Sequence, residues 1–130
     1  MIVADKSALV AIVLNEPERA AFLAKIASAD LVLVSAVSVV EVRLLVYGRK
    51  GHRGVVLVDD LLRQPEFEIV PAGAEEAAAA YAAFVTYGKG SGHPAALNIC
   101  DLFSYALAKS RSLPLLFKGD DFAKTDIEQA

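Results

Sequence analysis

Short apolar runs alternate along this chain with longer stretches of helical periodicity. Ile2, Val3 and Ala4 form a first apolar run ending in Asp5, after which Ser7 is placed to cap a helix over about Ala8 to Leu14. Pro17 stands where a first-turn proline is tolerated, and Ala20, Ala21, Phe22, Leu23 and Ile26 form the apolar side of a second helix. Leu31 to Val34 is a β-rich run. Ser35 then opens a helix to about Tyr47, which Gly48 can close, and a further helix is expected from about Gly54 to Leu62, before Pro65. Phe67 to Val70 reads as a third strand and Ala74 to Tyr87 as an alanine-rich helix of strong propensity. After a loop over Gly88 to Pro94, Asn98 starts a helix through about Ser110, and Leu113 to Phe117 is the last strand.

Strand and helix alternate throughout, and the strands are nearly continuously apolar. The pattern predicts an α/β domain, a three-layer α/β/α arrangement with a mainly parallel sheet between helices. With no repeat, linker or low-complexity tail, residues 1–130 are expected to form one domain.

Composition adds three constraints. Apolar residues make up 55% of the chain, above the usual range of about 45–50%, and the surplus points to an apolar surface kept for a partner. Thirteen basic residues against sixteen acidic give a net charge of −3, so binding to a nucleic acid requires a local basic patch. A single cysteine, Cys100, excludes an intrachain disulfide framework and a structural thiolate zinc site, and fits a reducing cytoplasm. Asp5 interrupts what a signal peptide would need, and no segment reaches the roughly 18 to 20 uncharged apolar residues of a membrane span.

The carboxylates carry the candidate chemistry. Asp5 falls just after the first strand, and Asp120 and Asp121 just after the last; in a parallel sheet these positions share one edge, where open α/β folds bind ligands. Glu41 lies six residues beyond Ser35, in the second turn of its helix, and is the only charge between Ser35 and Arg43. Asp101 lies three residues after Asn98, in a first turn facing the same edge. Taken singly, Asp101 suits a helix-start charge, Asp5 a cap, and Asp120 and Asp121 a turn. Together they gather mutually repelling charges at one place, which is costly without a compensating cation. Hard oxygen ligands suit Mg²⁺ or Mn²⁺, and such an ion activates water and supports in-line displacement at phosphorus.

The segments Met1-Ile-Val-Ala-Asp-Lys-Ser-Ala-Leu, Ser35-Ala-Val-Ser-Val-Val-Glu, Leu97-Asn-Ile-Cys-Asp-Leu-Phe-Ser-Tyr-Ala-Leu-Ala-Lys and Leu115-Leu-Phe-Lys-Gly-Asp-Asp-Phe resemble, in order and spacing, the acidic motifs of the VapC toxins of bacterial toxin–antitoxin pairs. The resemblance spans the whole chain. It implies a PIN fold, a Mg²⁺-dependent endoribonuclease acting on RNA, inhibition by a cognate VapB-type antitoxin, and a homodimer. Carried over by position, Asp5 and Asp101 match the principal metal ligands, Glu41 the third acid, and Asp120 or Asp121 the fourth. One residue departs from the pattern. Lys6 stands where these toxins usually have a small or hydroxylated residue, often threonine. Either its ammonium competes with the ion, or strand alternation turns it away from Asp5.

Two other classes of function fit parts of the pattern. A phosphoacceptor receiver module also uses acids and Mg²⁺ at a sheet edge, but expects its acid pair at the first strand, whereas the pair here follows the last. A catalytically weakened PIN scaffold acting by binding has Lys6 as its motive. Elsewhere, Lys89 and His93 in the Gly88 to Pro94 loop either meet an RNA backbone or only connect helices. Arg43, Arg49, Lys50, His52 and Arg53 read as a solvated helix end, Lys118 as a neutraliser of the acidic turn or a phosphate contact, and Tyr81, Phe84, Phe103 and Tyr105 as core or interface aromatics.

Overall fold

The computed structural model describes all of residues 1–130. Four strands, β1 (Ile2–Ala4), β2 (Val32–Ser35), β3 (Phe67–Val70) and β4 (Leu115–Leu116), form one sheet in the order β3-β2-β1-β4, and every pairing is parallel. Five helices connect and cover them: α1 (Lys6–Val13), α2 (Arg19–Ala27), α3 (Ala36–Leu62), α4 (Ala74–Tyr87) and α5 (Ile99–Arg111).

Strand alternation divides the interior into two cores. Ile2, Ala4, Val32 and Val34 pack with residues of α1, α2 and α3 on one face, while Val3, Leu33 and Leu115 pack with residues of α4 and α5 on the other. Val3, Ala4, Val32 and Val34 are fully buried, which is why these strands carry no polar alternation. The three-layer expectation holds. β4 is shorter than the apolar run around it, and the chain's last residues return to it, with Leu115 N–H donating to the Glu128 carbonyl (2.8 Å) and Ala130 N–H to the Leu115 carbonyl (2.9 Å).

Three local expectations need correction. The helix after Ser35 does not end at Gly48. It runs to Gly51, whose φ of 61° and ψ of −156° break the helical path, and the chain then reverses into a second helical half. Arg43 and Asp59, sixteen positions apart, form an ion pair of 2.9 Å; on one straight helix they would lie about 24 Å apart. Gly54 is where the halves meet, since a Cβ there would come within 2.5 Å of Val46 Cγ1. The basic group Arg49, Lys50, His52 and Arg53 therefore surrounds a helical bend, and Arg43 is paired across it. Secondly, Pro17 lies in the turn before α2, which starts at Arg19. Thirdly, α1 is capped by Asp5 rather than Ser7.

No helix is long and apolar enough to cross a membrane.

Candidate active site

Asp5 leaves β1 in extended conformation and is 1% exposed. A buried carboxylate requires donors, and three are supplied. Oδ2 accepts from Ser7 N–H (2.9 Å) and Ser7 Oγ–H (2.7 Å), and Oδ1 accepts from Ser104 Oγ–H (2.7 Å). Ser104 is fully buried and lies 3.0 Å from Ser38 Oγ on α3. Ser7 Oγ also accepts the Lys118 N–H (3.0 Å) of the chain leaving β4. One carboxylate thus ties together β1, α1, α3, α5 and the exit of β4.

Ser38 and Ser104 were not singled out in the sequence, although a signal was present. Ser104 lies three residues after Asp101, and Ser38 three before Glu41, so each shares a helix face with an acid. Removing the Ser104 hydroxyl takes a charge-assisted hydrogen bond from a buried carboxylate. Ser104→Ala is therefore expected to lower unfolding free energy by about 2 kcal/mol, measured by urea denaturation. An unchanged denaturation midpoint would contradict this account of Asp5.

Asp101, 6% exposed, sits in the first turn of α5. Its Oδ2 accepts Asn98 N–H (3.1 Å), while Asn98 Oδ1 accepts Asp101 N–H (2.9 Å), a reciprocal capping box. Burial raises the Asp101 carboxyl above the usual carboxylate range, opposed by the Asn98 N–H and the Lys6 charge and reinforced by Asp5 and Glu41. Asp5 and Asp101 therefore are caps, as each would be singly, and caps that leave a carboxylate at the same edge.

Glu41 reaches the same point from α3. Its Oε1 accepts a hydrogen bond from Lys6 Nζ at 2.6 Å, and its Oε2 is buried without a partner. Lys6 Nζ lies 3.6 Å from Asp101 Oδ1. Burial alone would lower the Lys6 pKa; the hydrogen bond to Glu41 and the charges of Asp101, Glu41 and Asp5 outweigh it, and the net shift is upward. Lys6 thus does not turn away from the acids. β1 ends at Ala4 and Lys6 is the first residue of α1, so a helical step, not strand alternation, sets its direction. Burial, with the nearby Glu41 carboxylate, pushes the neighbouring Cys100 thiol up to about 12, so it stays protonated in the metal-free protein.

Asp120 and Asp121 are exposed in the turn after β4, beyond Gly119, whose φ of +99° bends the chain. Neither makes a side-chain hydrogen bond or ion pair, whereas Glu41 and Asp101 are brought together on Lys6. Lys118 does not pair with this turn either; its ammonium meets Glu16 (3.4 Å) and Glu18 (3.1 Å) before α2. His93 has a structural part, with Nδ1 accepting Ala95 N–H (3.0 Å) and its ring edge-on to Tyr87.

No three acidic, histidine or cysteine side chains already stand as ligands around one point. The donors nonetheless fit a hard divalent cation. They are all carboxylate oxygens, Glu41 Oε2 is buried and unpartnered, and the ammonium among them shows that the position favours positive charge.

A parallel four-stranded sheet with acids gathered at its carboxyl edge is the architecture of a PIN domain, and the PIN-domain family model matches residues 2–128. The chain belongs to this family, in its VapC branch. It is 44% identical to "Ribonuclease VapC30" of Mycobacterium tuberculosis over 125 residues, covering 96% of this chain and 95% of that one. Among solved structures, the fold is similar to Mycobacterium tuberculosis VapC20, a sarcin-ricin loop cleaving toxin, with a TM-score of 0.82 at 16% identity, covering 100% of this chain and 98% of that one. It is also similar to a toxin–antitoxin complex from Klebsiella pneumoniae, with a TM-score of 0.71 at 20% identity, covering 95% and 91%.

Proposed function

We propose that this chain is the toxin of a type II toxin–antitoxin pair, an endoribonuclease that uses Mg²⁺, or Mn²⁺, to hydrolyse RNA. The observation that carries this reading is that Glu41 and Asp101, from two separate helices, share the Lys6 ammonium, with the charge of Asp5 at the end of β1 near enough to act on it.

Asp5 and Asp101 would hold the ion in this scheme. The ion, when bound, supplies Lewis-acid stabilisation of charge on the phosphoryl oxygens. Ser7 and Ser104 fix the Asp5 carboxylate, and the Asn98 cap fixes Asp101, so neither reorganises during reaction. Glu41 orients the attacking water and accepts its proton as the water oxygen bonds to phosphorus and the bond to the leaving oxygen breaks. Asp120 or Asp121, exposed on the turn at Gly119, is assigned as the fourth acid by its place in the motif. Sequencing RNA ends after brief induction without antitoxin tests the activity. Discrete new ends absent from an Asp101→Asn control support it; identical end profiles would contradict it.

Two apolar surfaces support the partners in this reading. Exposed Tyr81, Phe84 and Ile99 line a groove of about 620 Å³ between α4 and α5, and Ile99 is 71% exposed. Such a patch is costly in water and suits a homodimer interface. Ile99→Asp is expected to shift the protein from dimer to monomer in sedimentation analysis, and an unchanged dimer would show that this face lies outside the interface. A second groove, lined by Ile12, Val13, Leu23, Leu57 and Leu61, lies between α1, α2 and the latter half of α3. It suits the apolar face of an amphipathic tail from a VapB-type antitoxin.

A further inference from the structure

Lys6 is the residue by which this chain departs from the pattern it otherwise follows, and it occupies the centre of the site. Its side chain is 16% exposed, unusual for a lysine, and its ammonium stands 2.6 Å from Glu41 Oε1 and 3.6 Å from Asp101 Oδ1. Two carboxylates from two helices share this one cation, and the charge of Asp5 adds to their pull. A buried lysine is retained at such a place only when paired, and paired here it offsets repulsion that otherwise falls on the fold.

A divalent ion bound by these acids sits about 2.0–2.1 Å from its oxygen ligands in the case of Mg²⁺. An ammonium already in hydrogen-bond contact with Glu41 and beside Asp101 occupies much of the same space and draws on the same charge. The two cations therefore exclude one another in part. Lysine's flexible four-carbon stem lets the head leave without disturbing α1, whose cap is made by Asp5 and not by Lys6.

We propose that Lys6 is a tethered counter-ion of the acidic centre, holding Glu41 and Asp101 in the metal-free protein and setting, by competition, the divalent-ion concentration at which the centre loads. The inference rests on the assignment of Asp5 and Asp101 as metal ligands. Linkage fixes the consequence: whatever free energy Lys6 gains from the acids must be given up when the ion binds, so removing the ammonium tightens metal binding and lowers metal-free stability.

The test is Mn²⁺ binding, read from the electron paramagnetic resonance of the free ion at fixed ionic strength, together with thermal melts in EDTA and in Mn²⁺. Lys6→Thr is expected to bind Mn²⁺ on the order of tenfold tighter than the unsubstituted chain, after screening of the Coulomb attraction. Its melting temperature in EDTA falls, and Mn²⁺ raises it by more than it raises that of the unsubstituted chain. Lys6→Met keeps the buried stem and gives the same result should the threonine variant fold poorly; Lys6→Arg, which keeps the charge, retains the weaker affinity. Equal affinities for the threonine, methionine and unsubstituted proteins, with binding lost in each on Asp101→Asn, would overturn the competition while leaving the metal site standing. Absence of any Asp101-dependent Mn²⁺ binding, even with Lys6 removed, would overturn the metal assignment itself and this inference with it.

Discussion

Asp101→Asn is expected to reduce metal-dependent RNA cleavage by at least about 100-fold, the scale at which losing one preorganised charge-stabilising group acts, without unfolding the chain. The amide oxygen can still accept the Asn98 N–H, so the cap of α5 survives, while the anionic ligand is lost. Stability should move the other way from activity. Burial raises the folded-state pKa of Asp101 above its unfolded value, so the folded chain binds this proton more tightly than the unfolded chain does. The favourable contribution of the protonated group is fully present below the unfolded pKa and is lost as pH rises through the folded one. At neutral pH the native protein thus carries an ionised, desolvated group that asparagine does not. The variant should melt at or above the parent's temperature near pH 7, and the difference should close below the ordinary carboxylate range. A melting temperature well below the parent's at pH 7 would show that Asp101 is chiefly structural.

Asp5→Ala is expected to fail in both respects. The side chain caps α1 and accepts three hydrogen bonds from Ser7 and Ser104 inside the fold. Losing the cap costs about 1 kcal/mol, and leaving the Ser7 and Ser104 hydroxyls without their acceptor costs about 1–3 kcal/mol more. The combined loss corresponds to a melting temperature lower by roughly 10 °C, together with loss of cleavage. Calorimetry of Asp5→Ala beside Asp101→Asn checks the contrast. Equal stabilities in the two variants would mean that the serine network contributes nothing measurable. Both acids are buried at the sheet edge, and Asp5 is the one held by the serine network.

Much of this was legible in the chain itself. The parallel sheet follows from Ile2 to Ala4 and Val32 to Val34, whose uninterrupted apolar character leaves no solvent face, whereas Phe67 to Val70, broken by Glu68, forms the edge strand with Glu68 and Ile69 exposed. Asp5, Glu41 and Asp101 were legible because each falls at a strand end or in an early helical turn, and such positions share one edge. The bend in α3 was not. Gly48 and Gly51 are equally able to stop a helix, and only tertiary packing decides that Gly51 takes the positive φ and that Arg43 meets Asp59. The direction of Lys6 depended on whether it begins a helix or ends a strand, a difference of one or two residues that local pattern does not resolve. The serine ties to Asp5 join residues as far apart as Ser104 and Asp5, and spacing along one helix hints at them without giving their partner.

The central claim is that the carboxylates of Asp5, Glu41 and Asp101 make this chain a divalent-metal endoribonuclease. Incubation of the purified protein with a defined RNA in millimolar Mg²⁺, in EDTA, and in EDTA followed by excess Mg²⁺, beside Asp101→Asn purified identically, tests it most directly. Discrete fragments are expected in Mg²⁺, none in EDTA, their return on adding Mg²⁺, and none from the variant. Fragments that persist in EDTA, fragments produced equally by Asp101→Asn, or intact RNA under all conditions would contradict it.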